Sequence, residues 1–469
     1  MDAGGGSPWA SVQRNRLLPI RSSREPVDTE WTRPAGSPEE EPVSPTARAM
    51  EDIGIYIVIT VGLDTPINLT TFRAGIEDML ARCPRYGCIQ VADGSNNGEA
   101  RWVRTTVKVE DRMIVPRLDR AAMATDPDKV VEDYVASLST LPMDRSHPPW
   151  EFHFLDFPTS EAASTVAIRV HHAYGDGMST LALLMMSTRS AAADTKSRPD
   201  APPGRRSTRT GAIYAPQRPQ HSAGALVFVA WVWWYLVLAW NTAADIAYFA
   251  ATIMFLSDPR TLFKRADDDR FHAKRFVHRS LSLDDVKFLK NSMNCTVNDV
   301  LVAVTSAALS RYYFRKSGEP NTTKICVRSL LPVNTRPASS LQTYVNVIES
   351  DKRNEVTWGN KLGYIILPFY LVTHDDPLAY IRKAKKVLDR KKRSLEVIFT
   401  YKIAQIFMKV FGAKALIIHY QSYRSTIKII LSVDEDKFPD YHQLLDDFNQ
   451  TLTVMMNAAS RLSTLTKDD

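Results

Sequence analysis

Cysteine is scarce. The four thiols, Cys83, Cys88, Cys295 and Cys326, are spread over 469 residues, too few and too scattered for a disulfide framework, and no Cys/His spacing of zinc type accompanies them. A reducing compartment is the expectation. The opening MDAGGGSPWASVQRN holds no apolar run of the kind a secretory leader needs, and Asp2 excludes N-myristoylation at a second-position glycine. The Asn-x-Ser/Thr triplets at Asn68, Asn294, Asn321 and Asn449 therefore read as unglycosylated. Excess charge is also small: 59 Lys and Arg against 52 Asp and Glu give +7, which fits a membrane surface, an acidic ligand or nucleic acid equally well. Nucleic acid is the weakest of these, because no recognised motif or aromatic interleaving accompanies the charge. No internal repeat is visible. What remains is ordinary globular composition, 44% hydrophobic and 24% charged, which excludes a wholly disordered, collagen-like or polytopic membrane chain. The length suits two or three packing units, or one large fold of two lobes.

Residues 1–45 are rich in Gly, Ser, Pro, Arg and Glu and read as a mobile, disordered arm. Folding is expected from there. Ile53 to Val61 (IGIYIVITV) fits a buried strand, Leu69 to Leu80 a helix behind Asn68, and Val130 to Leu138 another helix. Trp150 to Phe157 and Thr165 to His171 alternate apolar positions as strands do. Residues 188–222 carry five prolines and seven Lys or Arg, a basic linker. After the apolar stretch 223–257, elements resume. Ser282 with Asp285 and Thr296 with Asp299 resemble capping pairs. Lys324 to Leu331 reads as a strand closed by Pro332, Pro377 to Arg393 as a basic helix, and Leu416 to Tyr423 with Thr426 to Val433 as a hairpin before a terminal helix. Helices and strands interleave in both halves, so the class is α/β or α+β in two lobes, 46–187 and 258–469.

The densest chemistry is His171-His172-Ala173-Tyr174-Gly175-Asp176-Gly177, where a strand ends and a helix begins. A strand-to-helix turn presents a side chain to a cleft, and a histidine there exchanges a proton near neutral pH. An acid four residues on can hold the turn, and Gly175 and Gly177 permit tight turning. H-x-x-x-D alone is a weak signal: His442 and Asp446 match it too, on the expected terminal helix, where they read as a solvated i,i+4 pair. The doubled histidine and the strand-turn context single out the first match. Asn334 and Arg336 in VNTRP could line a site or simply end a strand. His153 and His419 read as core or edge residues of strands.

HHAYGDG fits the H-H-x-x-x-D-G signature of the wax ester synthase/diacylglycerol acyltransferase family, and the chain resembles its plant branch. EEPVSPTARAM, LPMDRSHPPWEFHFLD, TVNDVLVAVTSAAL, LPVNTRP, WGNKLGYIILPF and ALIIHYQSY are similar to plant segments in the same order, over roughly residues 40–460. The D-F-G-W-G segment of the related soluble acyltransferases is absent. The resemblance implies a two-lobed, chloramphenicol acetyltransferase-like fold with the reaction centre between lobes. It implies acyl transfer from acyl-CoA, a substrate with no further cofactor and no metal, to a long-chain alcohol or diacylglycerol. Carried onto this chain, it makes His172 the general base, His171 a neighbour that orients the site, Asp176 an acid fixing the loop, Gly177 a turn residue and Asn334 a substrate-binding residue. It implies an endoplasmic reticulum membrane, or the cell membrane, with the catalytic part cytoplasmic. The chain departs from the plant pattern in one place: FGAKA runs into LIIHYQSY with no Asn-x-x-Gly-Pro segment near 414–415, and no Gly-Pro dipeptide occurs anywhere. A non-catalytic acyl-CoA- or lipid-binding paralogue, or a truncated isoform, is the alternative this leaves open.

Ala223 to Trp240 holds no charge, and from there to Leu256 only Asp245 is charged. That is the length of a membrane span, and the preceding Arg205, Arg206, Arg209 and Arg218 mark a cytoplasmic flank. Trp231, Trp233, Trp234 and Trp240 occupy its middle as well as its end, which fits a buried helix or one lying in the interface instead. The basic helix from Arg382 to Arg393 is a solvated face, or a patch for anionic lipid or CoA phosphates.

Overall fold

The computed structural model describes residues 14–16, 41–92, 100–182, 184, 225–255, 261, 263, 274–318, 325–336, 359–403, 416–423 and 425–465. The linker 188–222 and the junction at 414–415 lie outside them. The chain divides into two compact units, one of residues 1–199 with 336–361, the other of 200–335 with 362–469. The reading of 258–469 as one continuous lobe is thereby corrected: the stretch 336–361 folds with the first unit, and hydrophobic patterning, which marks elements but not their partners, gave no sign of it.

The first unit is built on a five-stranded sheet in the order Arg14–Arg16, Met113–Pro116, Trp150–Leu155, Ser164–His171, Tyr56–Leu63. Every residue of Trp150–Leu155 and Ser164–His171 is buried. The apolar alternation seen in sequence is real, but the intervening polar residues face other protein groups, not water. Arg169 lies 4.0 Å over the Tyr56 ring and 3.5 Å from Glu151, and His153 bonds the Tyr134 hydroxyl at 2.8 Å. His153 is a core residue. Two boundaries move. Ile53 closes the helix Pro45–Ile53, capped by Ser44 and ended by Gly54 at φ 66°, so the strand starts only at Tyr56. Residues 1–45 are not wholly a mobile arm: Arg14–Arg16 adds an edge strand to Met113–Pro116, and Glu41–Pro42 pairs with Trp102 and Arg101. Backbone pairing at an edge needs no apolar pattern, which is why composition missed it.

In the second unit Lys274–Ser282 and Leu416–Tyr423 flank Thr426–Asp434 in an antiparallel sheet. Val297–Ser317 opens with a complete Thr296/Asp299 capping box and ends at Gly318 in the left-handed region. This helix and Tyr441–Leu465 share a core with that sheet through Val304, Ala308, Leu431, Phe438 and Phe448. Asp446, on the terminal helix, pairs with Arg279 at 2.8 Å. A second, two-stranded sheet pairs Ile325–Asn334 with Leu362–Leu371. Pro332 does not end its strand; it sits opposite Tyr364 within it. Among the described residues this strand has a neighbour on one side only, and such a strand tolerates the missing N–H. At Gly363 a Cβ would stand 2.1 Å from the Val397 carbonyl, so glycine lets the helix Glu396–Lys402 lie against the strand.

Candidate active site

The motif follows the buried strand Ser164–His171 directly. The His172 N–H donates to the Ile55 carbonyl at 2.9 Å, and the Tyr174 N–H to the His171 carbonyl at 3.0 Å, so the turn is pinned at once to the neighbouring strand's entry and to itself. Tyr174 is buried against Trp102, ring centroids 4.7 Å apart, and its hydroxyl donates to the Cys88 carbonyl. A helix starts at residue 177, and Asp176 caps it: its carboxylate accepts the Ser179 N–H at 3.1 Å, and its carbonyl accepts the Thr180 N–H at 3.0 Å.

Asp176 is fully buried, and its other oxygen accepts from Arg336 Nη1 at 2.7 Å and from the Lys361 N–H at 3.1 Å. Arg336, itself 5% exposed, also donates to Ser179 Oγ at 3.0 Å and to the Gly359 carbonyl. A buried carboxylate with three donors, one of them a charged guanidinium, is a staple for the turn. Asn360 completes it, its Nδ2 donating to the His172 carbonyl at 2.8 Å. Arg336, Asn360 and Lys361 thus grip the motif at three points.

His172 is partly accessible, but its Nδ1 is sealed from solvent with no hydrogen-bond partner. Burial pushes its pKa below 6.5, while its own carbonyl, the charge of Asp176 and Asn360 pull it back. The imidazole is neutral at physiological pH, the form a general base requires. His171 points the other way: it is 7% exposed, meets Tyr56 edge-on at 5.2 Å, and takes the Ala173 N–H on Nδ1 at 3.2 Å. Burial, helped by the charges of His172, Arg145 and Arg169, pushes it down to about 4. Folding therefore favours neutral His171, so its contribution is present above pH 6.5 and is lost as pH falls from 6.5 towards 4. Between those limits the parent protein is expected to lose on the order of 3 kcal/mol more stability than His171→Gln, measured by urea unfolding at each pH.

Of the other sequence candidates, Gly177 is corrected. It is the first helical residue, at an ordinary φ, with open space where a Cβ would sit, so tight turning does not demand glycine there. Gly175 is constrained, since a Cβ would stand 2.8 Å from that of Ser179. Asn334 is the last residue of its strand in the second unit, in register with Leu362, whereas Arg336 two residues on reaches Asp176. Of the basic helix, Ala379–Lys392 in the structure, Lys391 is buried between Asp245 and Glu396, at 3.0 and 2.7 Å, and is not a surface cation. Sequence reasoning passed over Asn360. Its only signal is its place in WGNKLGY, where a polar residue opens an apolar strand. Asn360→Ala is expected to lower kcat roughly tenfold to a hundredfold with KM little changed. It is also expected to move the acid limb of the rate profile further down, since Asn360 raises the His172 pKa. A rate profile against pH reads both.

The family model described as the wax ester synthase/diacylglycerol acyltransferase catalytic domain matches residues 48–301, and the WS/DGAT C-terminal domain matches in two pieces, 358–416 and 413–456. The chain is 34% identical over 480 residues to wax ester synthase/diacylglycerol acyltransferase 11 of Arabidopsis thaliana, covering 90% of this chain and 95% of that protein. It is 33% identical over 510 residues to wax ester synthase/diacylglycerol acyltransferase 5 of the same plant, covering 95% and 99%. Among solved structures it is similar to the wax ester synthase/diacylglycerol acyltransferase from Marinobacter aquaeolei VT8, with TM-score 0.51 and 15% identity over 89% of this chain and all of that one. The first condensation domain of the calcium-dependent antibiotic synthetase matches with TM-score 0.58 and 12% identity over 90% of this chain and 98% of that one. The mixed helix and sheet class in two lobes, of chloramphenicol acetyltransferase type, is as expected from the sequence.

Proposed function

The chain belongs to the wax ester synthase/diacylglycerol acyltransferase family and is an acyltransferase, and from that premise we propose that it esterifies a long-chain alcohol or diacylglycerol with acyl-CoA, using His172 as the base. The observation that supports this most is a neutral imidazole at the end of a buried strand, held by Asn360 and the Asp176–Arg336 pair. With Nδ1 sealed, Nε2 is the nitrogen left for substrate. It takes the proton of the acceptor hydroxyl as that oxygen attacks the thioester carbonyl. The tetrahedral intermediate then expels the CoA sulfur, which receives the same proton from the imidazolium. One C–O bond forms, one C–S bond breaks, and the products are an ester and CoA thiol. No acyl-enzyme and no cofactor enter.

The same reading places the enzyme at a membrane, that of the endoplasmic reticulum or the cell, with the catalytic part cytoplasmic. One helix among the described residues, Ala225–Thr252, is long and apolar enough to cross a bilayer by length and composition. The test of the function offers purified full chain a long-chain acyl-CoA with a fatty alcohol and a diacylglycerol together. Wax ester, triacylglycerol or both support it. Acyl-CoA binding with neither product from folded protein would assign the chain to the non-catalytic alternative.

A further inference from the structure

The helix Ala225–Met254 has two unlike faces. Leu238, Asn241, Asp245 and Phe249 recur at helical spacing and are all buried against the second unit, of which the helix is part. The contacts are specific. Asn241 Nδ2 donates to the Arg393 carbonyl at 3.1 Å, Thr242 Oγ1 accepts the Leu395 N–H at 3.0 Å, and Phe249 meets Phe399 edge-on at 5.5 Å. Asp245, the helix's one charged residue, takes Arg390 at 2.6 Å and Lys391 at 3.0 Å, and Lys391 turns on to Glu396 at 2.7 Å.

The opposite face carries Val229, Trp233, Leu236, Trp240 and Met254, exposed by 61, 65, 57, 76 and 63%. The first four are spaced like the buried row, so they form one continuous ridge. The helix is about 45 Å long at 1.5 Å per residue, and this face is uncharged from end to end. An apolar surface of that extent on a water-soluble body marks an interaction site.

The geometry also limits how the helix can meet a bilayer. Before its first buried residue, Leu238, it has 13 residues, 225–237. That is about 20 Å, against about 30 Å of hydrocarbon. Drawing the rest inwards would strip Asp245 from Lys391 and leave unpaired charges in lipid. Tryptophan prefers the interface to the bilayer centre. Arg390 and Arg393, both exposed, sit beside Asp245 and Asn241 and complement anionic headgroups.

We infer that the helix lies in the plane of one leaflet, with the Val229–Trp233–Leu236–Trp240 ridge bedded at the acyl boundary and the Asp245 clamp holding the second unit on the membrane without crossing it. This deepens the membrane reading above and rests on it. Full-length protein is floated with sealed phosphatidylcholine vesicles, with and without phosphatidylserine, beside the doubly substituted Trp233→Asp, Leu236→Asp. The parent floats, more strongly with phosphatidylserine. The variant's bound fraction drops about tenfold, while its melting temperature without lipid is unchanged because both side chains face outwards. Single cysteines at Ser222→Cys and Ser257→Cys, flanking the helix in a chain whose four native cysteines are replaced by serine, both react with a membrane-impermeant maleimide from outside. Equal flotation of the variant, or labelling of Ser222→Cys only after detergent, overturns the in-plane ridge and leaves membrane binding standing. No flotation of the parent overturns both, and a dimer that the double substitution splits assigns the face to a second copy.

Discussion

His172→Ala is expected to lower the rate of ester formation by roughly 10²- to 10⁴-fold, the range a positioned general base supplies, with little change in melting temperature. The side chain is partly accessible and its Nδ1 makes no bond, so its removal breaks no hydrogen bond made by that nitrogen. The backbone bonds that shape the turn, from the His172 N–H to Ile55 and from Asn360 to the His172 carbonyl, do not depend on the imidazole. Parallel turnover and thermal-unfolding measurements check it. A variant that unfolds would place His172 in the core; one that turns over normally would remove it from the reaction.

Arg336→Ala acts through the fold instead. It leaves Asp176 fully buried, with the Ser179 and Lys361 N–H groups but no cation. Breaking a buried pair from one side typically costs about 3–5 kcal/mol, so urea unfolding should show a loss of that size and the melting temperature should fall by roughly 10 °C. Activity falls too, because the turn carrying His172 loses its staple. Arg336→Lys should rescue little, since one ammonium cannot serve Asp176, Ser179 and the Gly359 carbonyl in the planes the guanidinium fork occupies. In a double-mutant cycle the loss from Asp176→Leu with Arg336→Met should be much smaller than the sum of the two single losses. Additive losses would mean that the two residues do not act as a pair.

The motif turn was legible because its signal is local: a β-branched strand, two histidines, two glycines and a helix within a few residues. What grips it was not. Arg336 and Asn360 come from 160 and 188 residues further along the chain, and no periodicity records that 336–361 crosses back into the first unit. Arg336 stands out in VNTRP only as one of two residues able to line a site, while its guanidinium in fact serves Asp176. The neighbouring Asn334 drew equal weight, though it belongs to the other unit. The same limit explains Pro332, read as a strand end because proline lacks a donor, when a strand paired on one side has no use for that donor. The apolar helix was legible in length but not in placement. Asp245, in the sequence only the one charge of the apolar run, is the residue that ties the helix to the protein.

The central claim is that His172, kept neutral by its burial, takes the acceptor's proton. The most direct test is the pH dependence of kcat/KM for ester formation. The fold predicts a single acid limb with its midpoint below 6.5, because burial outweighs the groups that favour the imidazolium, and no such limb in the residual activity of His172→Ala. A midpoint above 6.5, or an identical limb in that variant, would contradict it.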